Sequence, residues 1–283
     1  MKTGVFFDVP MADYLAVEAL SASGAECLIS HGKWGFYMRN LHPDRERRET
    51  VALADGELLH TYLLEPDRFA QEYMRGPDGP EDKRLGVWKK ALAEALMSGQ
   101  QILKPSQFEW LTRCKAQIAA HPFAKSAILG AAGLSEVTVY WEQGGVPCKA
   151  RFDRLMPRIG IDLKKTRHAS DDGFMREAER YRYDIKASWY LSASNAMMSM
   201  GDDRFQQTHF GFVAVEQNWP QLVNVFAYER EDLRRADRQI ADAIEMYRDG
   251  LQNGWGRDDL MVKRLRLPAW VKNREDREDG DDD

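Results

Sequence analysis

The chain has 283 residues, 43% hydrophobic and 11% aromatic, which is enough apolar material for a large core and excludes an intrinsically disordered chain. No apolar run approaches the roughly 20 residues of a membrane helix. The formal charge of −5 argues against a uniformly basic surface, but the stretch from Arg274 to Asp283 holds seven acids and two arginines, so the remainder is neutral overall and free to carry local basic patches for phosphates.

The N-terminal stretch, residues 1–19, has one short apolar cluster, Gly4 to Phe7, and is then interrupted by Asp8, Asp13 and Glu18. This is not a secretory pattern. The three cysteines, Cys27, Cys114 and Cys148, are far apart and form no CxxC. They read as reduced thiols of a cytoplasmic protein rather than as a zinc or iron–sulfur site.

Up to about residue 130 the chain reads as mainly helical. Leu20 to Leu28 opens a helix with Ser21 or Ser23 as N-cap. A basic stretch follows, with Lys33, Arg39, Arg45, Arg47 and Arg48 interleaved with Trp34, Phe36 and Tyr37. It reads either as the lining of a DNA channel or as a solvated loop. Leu53 to Leu64 forms a second helix, stopped by Pro66. Arg84 to Met97 has apolar residues at helical spacing and Gly99 as its stop. Ser106 and Glu109 form a capping-box pattern for a helix running to Ala120. A short helix then leads to Gly130.

Beyond Gly133 the pattern changes to strands. Ser135 to Gln143 alternates Val137, Val139 and Trp141 with polar residues, Gly144-Gly145 is a hairpin turn, and Val146 to Met156 returns. Pro157 to Gly160 makes a second turn before a third strand, Gly160 to Thr166. A long helix is expected from Asp172 to Met198, capped by Asp171-Asp172. Strands Gln206 to Glu216 and Leu222 to Tyr228 follow, joined through Asn218-Trp219-Pro220, and a helix from Glu231 to Leu251 closes the fold. Trp219 either packs on a neighbouring strand or stands out to stack on a base. The fold class expected is α/β: a mixed central sheet flanked by helices, with an N-terminal helical elaboration. The organisation expected is a helical part over 1–130, a core over 131–253, and an extension over 254–283 with a disordered acidic tail.

Asp162 and Lys164 are two residues apart in one strand and so share a face. Asp153 lies in the adjacent strand. An acid inside an apolar strand is costly unless compensated, and two converging carboxylates suit a hard divalent cation. Lys164 would then stand beside the reacting water or phosphate. The alternative is surface charge on a hairpin, with Asp153 paired to Arg151 or Arg154. There is no Gly-rich phosphate loop, HExxH or GxSxG, which argues against an ATPase, a zinc protease and a serine hydrolase.

The order of these elements resembles the PD-(D/E)XK nuclease superfamily. Within it, the chain looks most like the exodeoxyribonuclease VIII (RecE-type) exonucleases of phages and prophages. The resemblance is carried by Leu20 to Gly24, Gly56 to Phe69 (GELLHTYLLEPDRF), Ile102 to Phe108, Cys148 to Asp153 (CKARFD), Ile161 to Thr166 (IDLKKT) and Tyr181 to Tyr190 (YRYDIKASWY). It implies a restriction-endonuclease-like core and a Mg²⁺ site, with Mn²⁺ able to substitute. His60, Asp153, Asp162 and the Leu163 carbonyl would be the ligands, and Lys164 the catalytic lysine. Lys165, on the opposite strand face, would be solvated or touch phosphate.

In place of the family's QxxxY stands Lys186-Ala-Ser-Trp-Tyr190, so a lysine replaces the glutamine. Lys186 and Tyr190 would serve the substrate, Lys186 as a point charge at the catalytic centre. The resemblance further implies 5′ to 3′ degradation of double-stranded DNA from an end, in phage-type recombination, by a homo-oligomer working with a single-strand annealing protein and without a membrane. An endonuclease or nickase of the same fold, and a degenerate DNA-binding or assembly protein, remain open alternatives.

Overall fold

Alternating side chains assemble six strands into one sheet, and segments with helical spacing cover both of its faces. The structure, a computed structural model, describes residues 2–45, 51–202 and 206–257. In chain order the elements are β1 (Gly4–Phe6), α1 (Met11–Ala16), α2 (Ala22–Phe36), α3 (Val51–Leu64), α4 (Pro66–Glu72), β2 (Tyr73–Arg75), α5 (Gly86–Ser98), β3 (Gln101–Leu103), α6 (Pro105–Ala120), α7 (Pro122–Ala124), β4 (Leu134–Gln143), β5 (Val146–Met156), β6 (Arg158–Thr166), α8 (Asp171–Arg180), α9 (Tyr183–Ser199), β7 (Gln207–Glu216), β8 (Val223–Ala227) and α10 (Arg234–Asn253).

The large sheet has the order β1-β4-β5-β6-β7-β8. All its pairs are antiparallel except β6 with β7. A parallel pair requires a crossover, and α8 and α9 supply it. Alternation decides which layer each strand residue joins. Phe152, Phe210 and Phe212 point into a core shared with α2, α9 and α10. Ile161, Leu163, Val213 and Val215 point the other way, into a second core shared with α3, α4 and α6. Helices from before residue 130 therefore share both cores with the sheet. Trp189, Phe152, Phe174 and Phe212 are fully buried, and each such large apolar side chain contributes roughly 2 kcal/mol or more. The result is an α/β sandwich, as the residue patterns predict, of the restriction-endonuclease-like kind that the resemblance implies.

Several expectations are corrected. The long helix is two: Arg182 adopts a left-handed conformation (φ 53°, ψ 50°) between α8 and α9, and apolar spacing runs on across the break without announcing it. Its guanidinium binds Asp184 at 2.8 and 2.9 Å, which fastens the new helix start. Ser170, not Asp171-Asp172, caps α8 by accepting from Gly173 N, and the two acids occupy the first turn. α6 begins at Pro105, so Gln107 rather than Glu109 reaches back to Lys104 N (3.1 Å), and the Ser106 hydroxyl donates to Glu81 instead. β6 starts at Arg158 (φ 70°) after a tighter turn. The apolar cluster at Gly4 forms an edge strand on β4, and β2 with β3 forms a small parallel pair within the expected helical part; three-residue strands are too short to show periodicity. Arg47, Arg48 and the acidic tail lie outside the described residues. Among the described residues, no helix is long and apolar enough to cross a membrane.

Candidate active site

The β5–β6 ladder pairs Met156 with Ile159, Leu155 with Gly160 and Arg154 with Ile161, and stops there. The next rung would set Asp153 opposite Asp162. Instead the Asp153 carboxylate accepts the Leu163 N–H at 2.8 Å, standing in for the lost strand partner. Parting of the strands at this rung makes room for the two acids to converge. Gly160, on the same face of β6 as Asp162, permits the close approach below: a Cβ there would lie 2.9–3.1 Å from the rings of Phe210 and Phe152.

His60 reaches this point from α3, next to the buried Leu59 and one turn before the buried Leu63, which hold the helix on the sheet. Its Nε2 lies 2.8 Å from the Leu163 carbonyl and its Nδ1 3.7 Å from Asp153 Oδ2. Burial raises the Asp153 pKa, and Asp162 raises it further, against the lowering effects of His60, Lys186 and Lys164. Asp153 is thus paired to neither Arg151 nor Arg154. Arg151 binds Glu136, and Arg154 binds carbonyls of Ala127 and Gly130.

Asp162 is almost wholly buried. Lys164 contacts its Oδ2 and Lys186, from α9, its Oδ1. Burial alone would raise this carboxyl, but the two ammonium groups prevail and hold it well below the usual carboxylate range. Lys164 is itself pushed down, first by burial and also by Lys186, while Asp162 keeps Lys186 charged against its burial. The Lys164 ammonium stands 5.3 Å from the Tyr183 ring centroid and that of Lys186 5.7 Å from the Tyr190 ring centroid, both within cation–π range.

His60, Asp153, Asp162, Leu163, Lys164 and Lys186 therefore come together. Two other expected residues have their polar ends engaged within the protein. Lys165 is not solvated: its side chain is 8% exposed and its ammonium lies 3.3 Å from Asp55. Tyr190 is buried, and its hydroxyl donates to the Arg151 carbonyl at 2.6 Å, so it braces β5 rather than offering that hydroxyl to a substrate.

Sequence reasoning missed Glu136. It lies between the β4–β5 pairs Ser135–Arg154 and Val137–Phe152, opposite Asp153, and adopts a left-handed φ of 54°. One oxygen from each of Glu136 and Asp153 and a ring nitrogen of His60 all lie within 4.8 Å of one another. Burial and the Asp153 charge push the Glu136 carboxyl up to about 7, against the Arg151 hydrogen bond.

A cleft of about 1120 Å³ opens beside Lys164 and Lys186 and is also lined by Arg39, Arg45, Lys149 and Arg182. Arg39 and Arg45 of the basic stretch thus border the cleft, whereas Lys33 pairs with Asp249. Trp219 does not pack down on a strand; it is 77% exposed. The three cysteines are buried free thiols.

The donors fit a hard divalent cation. They are oxygen-rich with one imidazole. Asp162 Oδ2 is buried without a hydrogen bond of proper geometry among the described residues, its contact with Lys164 being one of charge. The Leu163 carbonyl meets His60 Nε2 at the same point, 2.8 Å away.

A family model described as a PDDEXK-like domain of unknown function (DUF3799) matches residues 36–254. The chain is similar in fold to the crystal structure of a protein from Eubacterium rectale provisionally named an exonuclease, with TM-score 0.59 and 15% identity over 95% of this chain and 98% of that one. A second structure, of SSO0001, aligns at TM-score 0.28 and 15% identity over 68% of this chain and 86% of that one, too low to carry an argument. No curated protein sequence matches significantly.

Proposed function

The chain belongs to the PDDEXK-like family DUF3799, and from that premise we propose that it is a metal-dependent deoxyribonuclease acting on the ends of double-stranded DNA. The observation that carries this reading is the meeting of His60, Asp153, the Leu163 carbonyl, Asp162 and Lys164 at the parting of β5 and β6.

Mg²⁺, or Mn²⁺ in its place, would be held by His60, Asp153, Asp162 and the Leu163 carbonyl and would supply Lewis-acid activation. The protein's own groups do the rest. Asp162 fixes Lys164 beside the acids, and the Lys164 ammonium neutralises charge that builds on the scissile phosphate. Lys186 adds a second positive point on the cleft side and meets phosphate as a charge rather than as a fork. Arg39, Arg45 and Arg182 border the approach, the sign required for a polyanion. By resemblance to the RecE-type exonucleases, degradation runs 5′ to 3′ and leaves a 3′ single strand for annealing in phage-type recombination, with a homo-oligomer as the working form.

The test incubates linear and closed-circular duplex DNA with Mg²⁺ or Mn²⁺ and compares wild type with Asp162→Asn and Lys164→Ala. Linear DNA is expected to be degraded and the circle spared, with each variant slowed at least about a hundredfold. Activity that survives both substitutions overturns the site; cutting of the circle overturns the need for an end. The double occupation of Asp162 by lysines favours one second reading, a DNA-binding protein on a degenerate nuclease scaffold. DNA binding without hydrolysis under either metal would establish it.

A further inference from the structure

The hairpin register places three acids from three neighbouring strands in one row: Glu136 in β4, Asp153 in β5 and Asp162 in β6. Ladder pairing is interrupted on both sides of Asp153, between Ser135–Arg154 and Val137–Phe152 in one direction and after Arg154–Ile161 in the other. Glu136 and Asp153 each place an oxygen within 4.8 Å of the other, and the Asp162 charge acts on Asp153 from the other side. Three carboxylates so placed repel one another unless cations intervene.

The cations present are unevenly shared. Asp162 has two ammonium groups, Lys164 and Lys186. Glu136 has the Arg151 guanidinium on Oε2 alone, and its Oε1 accepts no hydrogen bond among the described residues. Among the described residues Asp153 contacts the His60 ring, 3.7 Å away, and the Leu163 N–H, and the Lys186 and Lys164 ammonium groups, both held on Asp162, act on it only as neighbouring charges. Negative charge without a fixed partner therefore lies on the Asp153–Glu136 side of the row. An imidazole belongs to that side as well: His60, Glu136 and Asp153 each bring a ligand atom within 4.8 Å of the others, and one nitrogen with two oxygens is a donor set that divalent metals accept. Arg151 is placed to orient Glu136, as outer partners of metal ligands do.

We infer that Glu136 is a metal-ligating residue of this site, binding a divalent cation together with His60 and Asp153. The inference rests on the reading of the site as a metal-dependent nuclease and adds to it a ligand from β4, outside the paired acids and lysine of β5 and β6. Asp162 stays in that ligand set and also fixes the two ammonium groups that contact it.

The test is Mn²⁺ binding, measured by calorimetry and by electron paramagnetic resonance of free Mn²⁺, on the full chain as wild type, Glu136→Gln and Glu136→Asp, each checked for folding by circular dichroism. Glu136→Gln is expected to weaken Mn²⁺ binding at least tenfold. Glu136→Asp keeps the charge beside Arg151 but draws the carboxylate back by one methylene, and is expected to weaken it at least fivefold while remaining folded. Wild-type affinity in either folded variant overturns the inference. If DNA is still hydrolysed in a metal-dependent way while Glu136→Gln binds Mn²⁺ normally, the inference falls and the nuclease reading stands. A wild-type protein that binds no Mn²⁺ removes both.

Discussion

The ammonium of Lys186 lies against Asp162 Oδ1, so this helix residue brings a second positive charge to the buried acid. A unit charge at about 5 Å in a protein setting of effective dielectric about 20 is worth roughly 3 kcal/mol before screening. Lys186→Gln is therefore expected to tighten Mn²⁺ binding at least tenfold, read by calorimetry. Unchanged or weaker binding would mean that the lysine does not oppose the cation.

Asp162 is the hub of this charge cluster, and its loss should cost more than the loss of either lysine. Asp162→Ala leaves two partly buried ammonium groups without this carboxylate, for which about 1–3 kcal/mol of destabilisation is expected. Lys186→Met leaves Asp162 still paired with Lys164 and should cost less. Urea unfolding of the two variants at neutral pH makes the comparison, and equal losses would contradict it. The sign of the acid response follows as well. Because the folded carboxyl is held below its ordinary value of 3.8, the unfolded chain takes up this proton first as pH falls. The stabilisation is complete above that value and is lost on acidification below it.

Tyr190→Phe removes the donor to the Arg151 carbonyl and leaves a buried acceptor unpaired, at a cost of about 1–3 kcal/mol. The ring still packs on Phe152 and Phe210. Thermal unfolding should shift downward while DNA hydrolysis stays within severalfold of wild type. A hundredfold loss of rate at unchanged stability would instead place the hydroxyl on the substrate.

Burial pushes the thiols of Cys114 and Cys148 up to about 12, and raises Cys27 as well. A disulfide reagent at pH 8 should find no thiol in the native protein and three after denaturation. The folded state keeps these protons where the unfolded state releases them, so their contribution to stability is full below about 9, the ordinary value, and is lost as pH rises from there toward 12. Rapid native labelling would show that one of these packed regions opens.

Much of the site was legible because strand chemistry is local. The two-residue spacing of Asp162 and Lys164 put them on one face, and the apolar flanks Ile161 and Leu163 marked β6 as buried on the other. Long-range placement, such as His60 meeting Leu163, came only through resemblance. Glu136 was within reach and was overlooked. A two-residue turn at Gly144-Gly145 pairs Gln143 with Val146, and counting outward from it sets Glu136 against Asp153. Alternation with Val137 and Val139 made it look like an ordinary polar partner. Lys165 could not be placed, because its partner, Asp55, lies on a helix 110 residues earlier in sequence. The break at Arg182 was hidden because helical spacing resumes in phase with what precedes it.

Lys149 gives two hydrogen bonds to the carbonyls of Tyr14 and Val17, and Arg151 gives one to Val9, so the strand that carries Asp153 also grips the chain's opening residues. A shortened gene product beginning at residue 36 would strip Lys149 of both carbonyl acceptors and Arg151 of its Val9 acceptor, and would remove the edge strand on β4. The guanidinium that steadies Glu136 would lose one of its two anchors, and a trimmed protein of this kind should be judged by its folding before its silence toward DNA is interpreted.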